Sequence, residues 1–278
     1  MTKIAFIGAG SMSEALISGI ISSKMISNEN IFVTNNSNKE RLNYLHSQYG
    51  VNFTYELDEL VQDADVIILA MKPKDVKQGV GSIQAYLSEK TLLISVLAGV
   101  SIKSLELLAG KKLSVARAMP NTSAAVGKSA TGIAVNETVT DKQMELILNI
   151  FQTVGLTAVV EETKLDAVTG LSGSGPAYFY YIVEAMEKGA LEVGLDPDMA
   201  NDLIIQTLKG AAEMMATSKK SPLELRQNVT SPGGTTEAGI KVLESFDVQT
   251  AFINCMKEAV ARSKTMGDAI SEELKVSN

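Results

Sequence analysis

The chain sets short, mostly apolar runs against longer stretches in which apolar residues recur every three or four positions. The runs are Ile4 to Ile7, Ile31 to Thr34, Val66 to Met71, Leu92 to Val96, Leu113 to Ala116, Gly132 to Val135 and Thr157 to Val160. The unbroken run Val66 to Met71 marks a buried strand of a parallel sheet, and the others are strand candidates. Helical spacing fills many of the gaps; behind the first run, Met12, Ala15, Leu16, Gly19 and Ile20 line one side of a helix. Strands alternating with helices predict a doubly wound α/β sheet.

After Val160 the strand pattern stops. Phe179, Ile182, Val183, Met186, Ala190 and Val193 share one helical face. Leu203, Ile204, Leu208, Ala211 and Met215 share a second, and Phe252, Cys255, Met256, Ala259 and Val260 a third. The expected organisation is an α/β domain over residues 1–161 and an all-α domain over 162–278. Gly194-Leu-Asp-Pro197 reads as a helix stop followed by a cap and a first-turn proline. The methionines and Cys255 sit at core spacing and read as core, while the small residues among them allow a second subunit to approach.

Composition narrows the function. The chain has 278 residues, 45% of them apolar, enough to bury a sizeable core. Its net charge of -7 and lack of a dense basic cluster argue against nucleic acid as a partner. Apolar runs such as Leu92 to Val100 fall short of the roughly 18–20 residues that span a bilayer, so no membrane partner is expected. The opening Met1-Thr2-Lys3 runs straight into a strand without a cleavage site. The single Cys255 excludes an intrachain disulfide and fits a reducing cytoplasm, the expected location. The single His46 excludes multi-histidine metal sites and most histidine-centred triads, so no metal is expected.

The first strand breaks into Gly8-Ala-Gly-Ser-Met-Ser13 before a helix. Strand, glycine turn and helix make a Rossmann-type dinucleotide site: Gly8 for the tight turn, Gly10 for close approach of a pyrophosphate, and the helix's opening N–H groups for its charge. Ser13 stands where a third glycine or alanine is usual, and alone the motif also fits an ordinary α/β turn. The second strand ends in Thr34-Asn-Asn-Ser-Asn-Lys39, without the acidic residue that pairs with the ribose of NAD. Neutral amides and a hydroxyl accept a 2′-phosphate, and Lys39 or Arg41 adds charge, so NADP(H) is expected in preference to NAD(H). A solvated turn is the alternative.

Two stretches stand out in the helical half: Gly170-Leu-Ser-Gly-Ser-Gly-Pro-Ala177 and Val229-Thr-Ser-Pro-Gly-Gly-Thr-Thr-Glu-Ala-Gly239. The first reads as a helix N-cap with proline near the first turn. The second reads either as a cap by Ser231 or a threonine, or as a helix start whose free N–H groups bind a carboxylate.

Phe6-Ile-Gly-Ala-Gly10, Ala70-Met-Lys-Pro73, Ser95-Val-Leu-Ala-Gly99, Met119-Pro-Asn121, Asp166 to Tyr178 and Val229 to Thr236, in this order over essentially the whole chain, resemble pyrroline-5-carboxylate reductase. The resemblance implies an N-terminal Rossmann domain and a helical domain through which two subunits intertwine, the dimers often forming a larger ring. It implies NAD(P)H-dependent reduction of L-1-pyrroline-5-carboxylate to L-proline.

Position by position, it implies that the dinucleotide lies on Ile7, Gly8, Ala9, Gly10, Ser11 and Met12, with its adenosine end beside Asn35, Asn36 and Ser37. Ala70, Met71, Lys72 and Pro73, with Val96, Leu97 and Ala98, would line the nicotinamide side, and Asn228 would reach the cofactor from a partner chain. Ser231, Gly234 and Thr235 would bind the substrate carboxylate, Glu162 would face the ring, and Thr236 would meet the ring nitrogen as the catalytic hydroxyl. Gln227 and Leu57 depart from the acidic residue and the asparagine common at those positions. The rival readings are another NADP-dependent imine reductase and a non-catalytic dinucleotide sensor of the same fold.

Overall fold

The computed structural model describes residues 2–276. The apolar runs pair into one sheet of strands β1 (Ile4–Ile7), β2 (Ile31–Thr34), β3 (Asn52–Phe53), β4 (Val66–Leu69), β5 (Leu92–Ser95), β6 (Ser114–Met119), β7 (Ser129–Val135) and β8 (Gly155–Val159). Their order across the sheet is β3-β2-β1-β4-β5-β6-β7-β8. Helices α1 (Ser11–Ser22), α2 (Lys39–Tyr49), α3 (Leu57–Val61), α4 (Val76–Ile83), α5 (Ile102–Ala109) and α6 (Asp141–Gln152) connect them.

Successive strand residues point to opposite faces, so β1 feeds two cores. Ile4 and Phe6 pack with Leu16 and Ile20 of α1, Leu42 of α2 and Phe151 of α6. Ala5 and Ile7 pack with Leu60 of α3, Val80 of α4 and Leu105 of α5. Burying both faces removes four consecutive apolar side chains from water, which is why the run carries no polar residue.

Two details depart from the sequence reading. β3 escapes the apolar pattern, because its two residues, Asn52 and Phe53, make no run. β7 runs antiparallel to β6, whereas the other pairings are parallel. The link 120–128 is shorter than the dozen or more residues of a parallel crossover, so the chain turns back instead.

Beyond β8 the described chain is helical: α7 (Leu165–Val168), α8 (Gly175–Glu192), α9 (Pro197–Thr217), α10 (Pro222–Asn228), α11 (Thr235–Ser245) and α12 (Val248–Val276). The Asp196 side chain caps α9 with Pro197 in its first turn, in keeping with the stop-and-cap pattern of Gly194 to Pro197. The glycine-rich stretch before α8 behaves differently from expectation. Thr169–Gly173 forms a π-helical turn, and Ser174 N–H reaches back to the Thr169 carbonyl at 2.8 Å. The glycines widen a turn within a helical path instead of opening a new helix after a cap.

By packing, one compact unit comprises the chain up to Pro176 together with the chain from Glu258 onward; the other is Ala177–Lys257. In the first, the end of α12 lies against the sheet domain. Ser263, 5% exposed, donates its hydroxyl to Asp166 at 2.7 Å, and Ile270 packs on the core of Ala5 and Ile7. Gly99, at φ +76, and Gly267 touch backbone to backbone: a Cβ on Gly267 would lie 2.7 Å from the Gly99 carbonyl oxygen.

The second unit buries little of its own. Within 177–257 only Ala200 and Ile204 are buried apolar residues. Phe179 is 60% exposed and Val193 77%, Met186, Leu203 and Met215 are exposed with them, and so is Cys255. For these side chains the expectation of core is thereby corrected, while Ile204 is buried as expected. Helical spacing shows that a face is apolar, but not which chain covers it.

Gly267→Ala is expected to destabilise the first unit by about 1–3 kcal/mol, the usual cost of overpacking against backbone that cannot yield, measured by urea unfolding. Unchanged stability would mean that the backbone at Gly99 and Gly267 yields freely.

Candidate dinucleotide and substrate sites

β1 and β4 are neighbours at which the strand order reverses direction, the place where open α/β sheets bind ligands beyond the carboxyl ends of their strands. The ladder holds the emerging loops in register. Gly8 N–H donates to the Thr34 carbonyl at 3.0 Å, Ala70 N–H to Ile7 at 2.9 Å and Val96 N–H to Leu69 at 3.1 Å. Ile7–Met12, Ala70–Pro73 and Val96–Ala98, the stretches expected to hold the dinucleotide, therefore leave the same edge of the sheet.

Gly8 has φ +114, and a Cβ on it would lie 2.4 Å from the Ala70 carbonyl oxygen, so no other residue fits there without movement. Ser13 is fully buried and donates its hydroxyl to the Gly8 carbonyl at 2.7 Å, tying the helix to the loop where a third glycine is usual. Gly10 is the N-cap of α1 and supplies no side-chain cap. A Cβ on Gly10 would meet nothing within 4 Å. An uncapped helix start with open space above it fits a pyrophosphate.

In the loop expected to take the adenosine, Asn35 donates to the Asn38 carbonyl at 2.7 Å and accepts from Tyr55 at 3.2 Å, so its amide shapes the loop. Asn36, Ser37 and Lys39 are exposed beside it. Arg41 points elsewhere. Its Nε donates to the Ala9 carbonyl at 2.8 Å, its Nη2 to the Gly10 carbonyl at 3.4 Å, and Nη2 also pairs with Glu14. Burial pushes the Glu14 carboxyl up, but hydrogen bonds from Arg41, Tyr49 and Tyr44 outweigh it and hold the group below the ordinary carboxylate range.

Next to Val96–Ala98, the stretch expected on the nicotinamide side, Ala98 and Gly99 form one wall of a cavity of about 270 Å³. Thr169, Ser174, Ala259, Arg262, Ser263 and Met266 complete its lining. None of these six stands out as a site residue in the sequence, although Thr169 and Ser174 lie in or beside the glycine-rich signature, which is the signal that could have found them. Asn121, 9% exposed, donates to the Ser172 carbonyl at 2.9 Å and so ties Met119-Pro-Asn121 to the π-helical turn. Glu162 Oε1 accepts from the Ile102 N–H at 2.7 Å and from Arg117 Nη1 at 2.8 Å. Its carboxylate thereby anchors the start of α5, at the far end of the loop that carries Val96, Leu97 and Ala98. Lys72 is exposed at the start of a short 3-10 turn.

In the second unit, α11 begins at Thr235 behind Gly234, which makes no side-chain cap. The cap by Ser231 or a threonine is thus not what forms. Gly234 N–H closes a turn on the Ser231 carbonyl at 2.9 Å, which leaves the N–H groups of Thr235 and Thr236 at the helix start for an outside acceptor. Glu237 accepts the Gly233 N–H at 2.7 Å and pairs with Lys241 at 3.1 Å; these interactions, the Gly233 N–H foremost, lower its pKa. Gln227, in place of an acidic residue, does not leave the loop loose: Thr230 bonds the Arg226 carbonyl at 2.7 Å, and Arg226 pairs with Glu244 at 3.2 Å. Asn228 is exposed at the end of α10.

Among the described residues no helix is long and apolar enough to cross a membrane. Residues 162–266 match the family model for pyrroline-5-carboxylate reductase dimerisation, and residues 3–99 match one described as NADP oxidoreductase, coenzyme F420-dependent. The chain is similar to pyrroline-5-carboxylate reductase 2 of Bacillus subtilis, with 47% identity over 95% of this chain and 94% of the relative. A solved pyrroline-5-carboxylate reductase from Coxiella burnetii superposes with a TM-score of 0.88 at 40% identity, covering 95% of this chain and 98% of the other. The Plasmodium falciparum pyrroline carboxylate reductase, solved with NADP bound, gives a TM-score of 0.88 at 32% identity over 96% of this chain and 98% of that one.

The two loop glycines are expected to fail in different ways. Gly10→Ala, which adds a methyl to open space, should leave the melting temperature near that of the wild type and weaken dinucleotide binding by about tenfold or more, the scale of a clash with a close-fitting ligand. Gly8→Ala should lower the melting temperature itself. Fluorescence titration with NADPH beside thermal melts separates the two, and undiminished binding by Gly10→Ala would move the pyrophosphate away from α1.

Proposed function

From a chain that belongs to the pyrroline-5-carboxylate reductase family, we infer an enzyme that reduces L-1-pyrroline-5-carboxylate to L-proline with NAD(P)H, the last step of proline biosynthesis. The observation that carries this reading is the 47% identity to a reductase of that name over nearly the whole of both chains. The open, uncapped start of α1 at the sheet's switch point supports it independently.

The dinucleotide's residues are Ile7 to Met12, Asn35 to Ser37, Ala70 to Pro73 and Val96 to Ala98, with Asn228 reaching in from a partner chain. When bound, it supplies the hydride. NADP(H) is preferred over NAD(H), because Asn36, Ser37 and Lys39 offer donors to a 2′-phosphate and no carboxylate stands at the end of β2.

A cyclic imine protonated on nitrogen is already a strong electrophile, so the chain has mainly to place and orient it. Ser231 and the N–H groups at the start of α11 hold the carboxylate, with Gly234 shaping the turn that aims them. Thr236 directs its hydroxyl at the ring nitrogen. Glu162 acts on the substrate side through the loop it anchors. One proton and one hydride add across the C=N bond, and proline leaves with its carboxylate unchanged.

The protein works as a homodimer through residues 162–278, with larger rings built from dimers, in the cytoplasm. The exposed large apolar residues are concentrated in helices α8 to α12, as expected of a face that a second subunit covers.

NADPH oxidation should be seen with purified protein and L-1-pyrroline-5-carboxylate, faster than NADH oxidation at equal concentrations; no rate above background would defeat the reading. Thr236→Ala should lower kcat/KM about tenfold or more, as removing one hydrogen bond from the transition state costs on the order of 1–3 kcal/mol, with Thr236→Ser recovering most of it. Light scattering should give at least twice the chain mass, and a monomer at micromolar concentration would remove the dimer.

A further inference from the structure

Arg41 stands at the start of α2, where an arginine near the adenosine end is naturally read as a ligand for a 2′-phosphate. Its hydrogen bonds point the other way. Its Nε donates to the Ala9 carbonyl at 2.8 Å and its Nη2 to the Gly10 carbonyl at 3.4 Å. Nη2 also pairs with Glu14, and the guanidinium lies 5.1 Å from the centre of the Tyr44 ring. The side chains of Arg41 and Glu14 are 26% and 24% exposed, so the pair is partly withdrawn from water.

The two carbonyls matter because of what lies across each peptide bond. The described chain has no cis peptides, so C=O and N–H point in opposite directions in every peptide group. Fixing the Ala9 carbonyl therefore fixes the direction of the Gly10 N–H; the Gly10 carbonyl, which the Glu14 N–H also holds at 3.1 Å, fixes that of Ser11. The donors of the glycine loop are turned away from Arg41, outward from the helix start. Glu14 sits in the first turn of the same helix, where a free carboxylate would compete for those N–H groups and repel a phosphate. Arg41, Tyr49 at 3.0 Å and Tyr44 at 3.2 Å hold it back.

We propose that Arg41 is a positioning residue for the dinucleotide: it turns the glycine-loop peptides so that the Gly10 and Ser11 N–H groups face the pyrophosphate, and it restrains Glu14, without touching a 2′-phosphate. This rests on the dinucleotide site proposed above. It separates the affinity common to NADPH and NADH, set by Arg41, from the preference between them, left to Asn36, Ser37 and Lys39.

The test is equilibrium titration of the full-length protein with NADPH and with NADH, followed by fluorescence. Arg41→Met should weaken both by a similar factor of about tenfold, the scale of a missing charge-assisted hydrogen bond, leaving their ratio essentially as in the wild type. Adding Glu14→Gln to Arg41→Met should restore part of the affinity by removing the released charge. Arg41→Lys keeps the charge but cannot fork between two carbonyls and a carboxylate, so it should also weaken both; it carries the test if Arg41→Met does not fold. A loss confined to NADPH would make Arg41 a 2′-phosphate ligand and overturn the proposal, as would no loss with either dinucleotide. A wild type that binds both dinucleotides but does not turn over L-1-pyrroline-5-carboxylate would defeat the functional reading while leaving this one standing.

Discussion

The architecture of the first unit hangs on one close approach. β1 ends beneath the backbone of Ala70, and the chain can turn there only because Gly8 presents no Cβ, which would otherwise lie 2.4 Å from a carbonyl oxygen. That approach lets β1 and β4 lie side by side at the point where the strand order reverses. It places the start of α1 over the sheet's edge, and Ser13 fastens the helix to the same glycine from the buried side. The open space at Gly10 follows from this tightness: once the turn is made below, the helix start is free above.

The second constraint is what the helices leave undone. A stretch of 81 residues with two buried apolar side chains has no core of its own, so its stability cannot come from the hydrophobic burial that ordinarily offsets chain entropy. The exposed apolar side chains are far more than a solvated surface explains. If Ser231 to Thr236 hold the substrate as proposed, covering those faces would also be what holds them firmly in place.

Much of this can be read from residues alone. The runs that form β1, β2, β4 and β5 are apolar on both faces, and that pattern has few alternatives. The return of β7 beside β6 is legible in principle from the short link 120–128, but both strands look alike to a periodicity argument. β3 leaves too little pattern to detect. The π-helical turn defeats sequence reasoning because glycine, serine and proline signal a helix boundary in almost every other setting. Arg41 marks a deeper limit: its charge is visible in the sequence, but which of its neighbours it satisfies depends on the angle at which α2 meets the glycine loop. Glu162 is similar, since its partners Ile102 and Arg117 come from separate elements.

The lone histidine sharpens the chemistry. His46 lies in the last turn of α2, where its Nδ1 is 2.8 Å from the Val51 carbonyl and its ring stands edge-on to Phe53 at 5.9 Å. Its Nδ1 braces the turn into β3. Cys255 lies on an apolar face that calls for cover, not reactivity. A substrate that needed an acid to become electrophilic would be poorly served, whereas an imine that arrives protonated needs only fixed donors for its carboxylate and a hydroxyl for its nitrogen. On the proposed reading, a chain with one histidine and one cysteine would reduce a cyclic iminium chiefly by placing it.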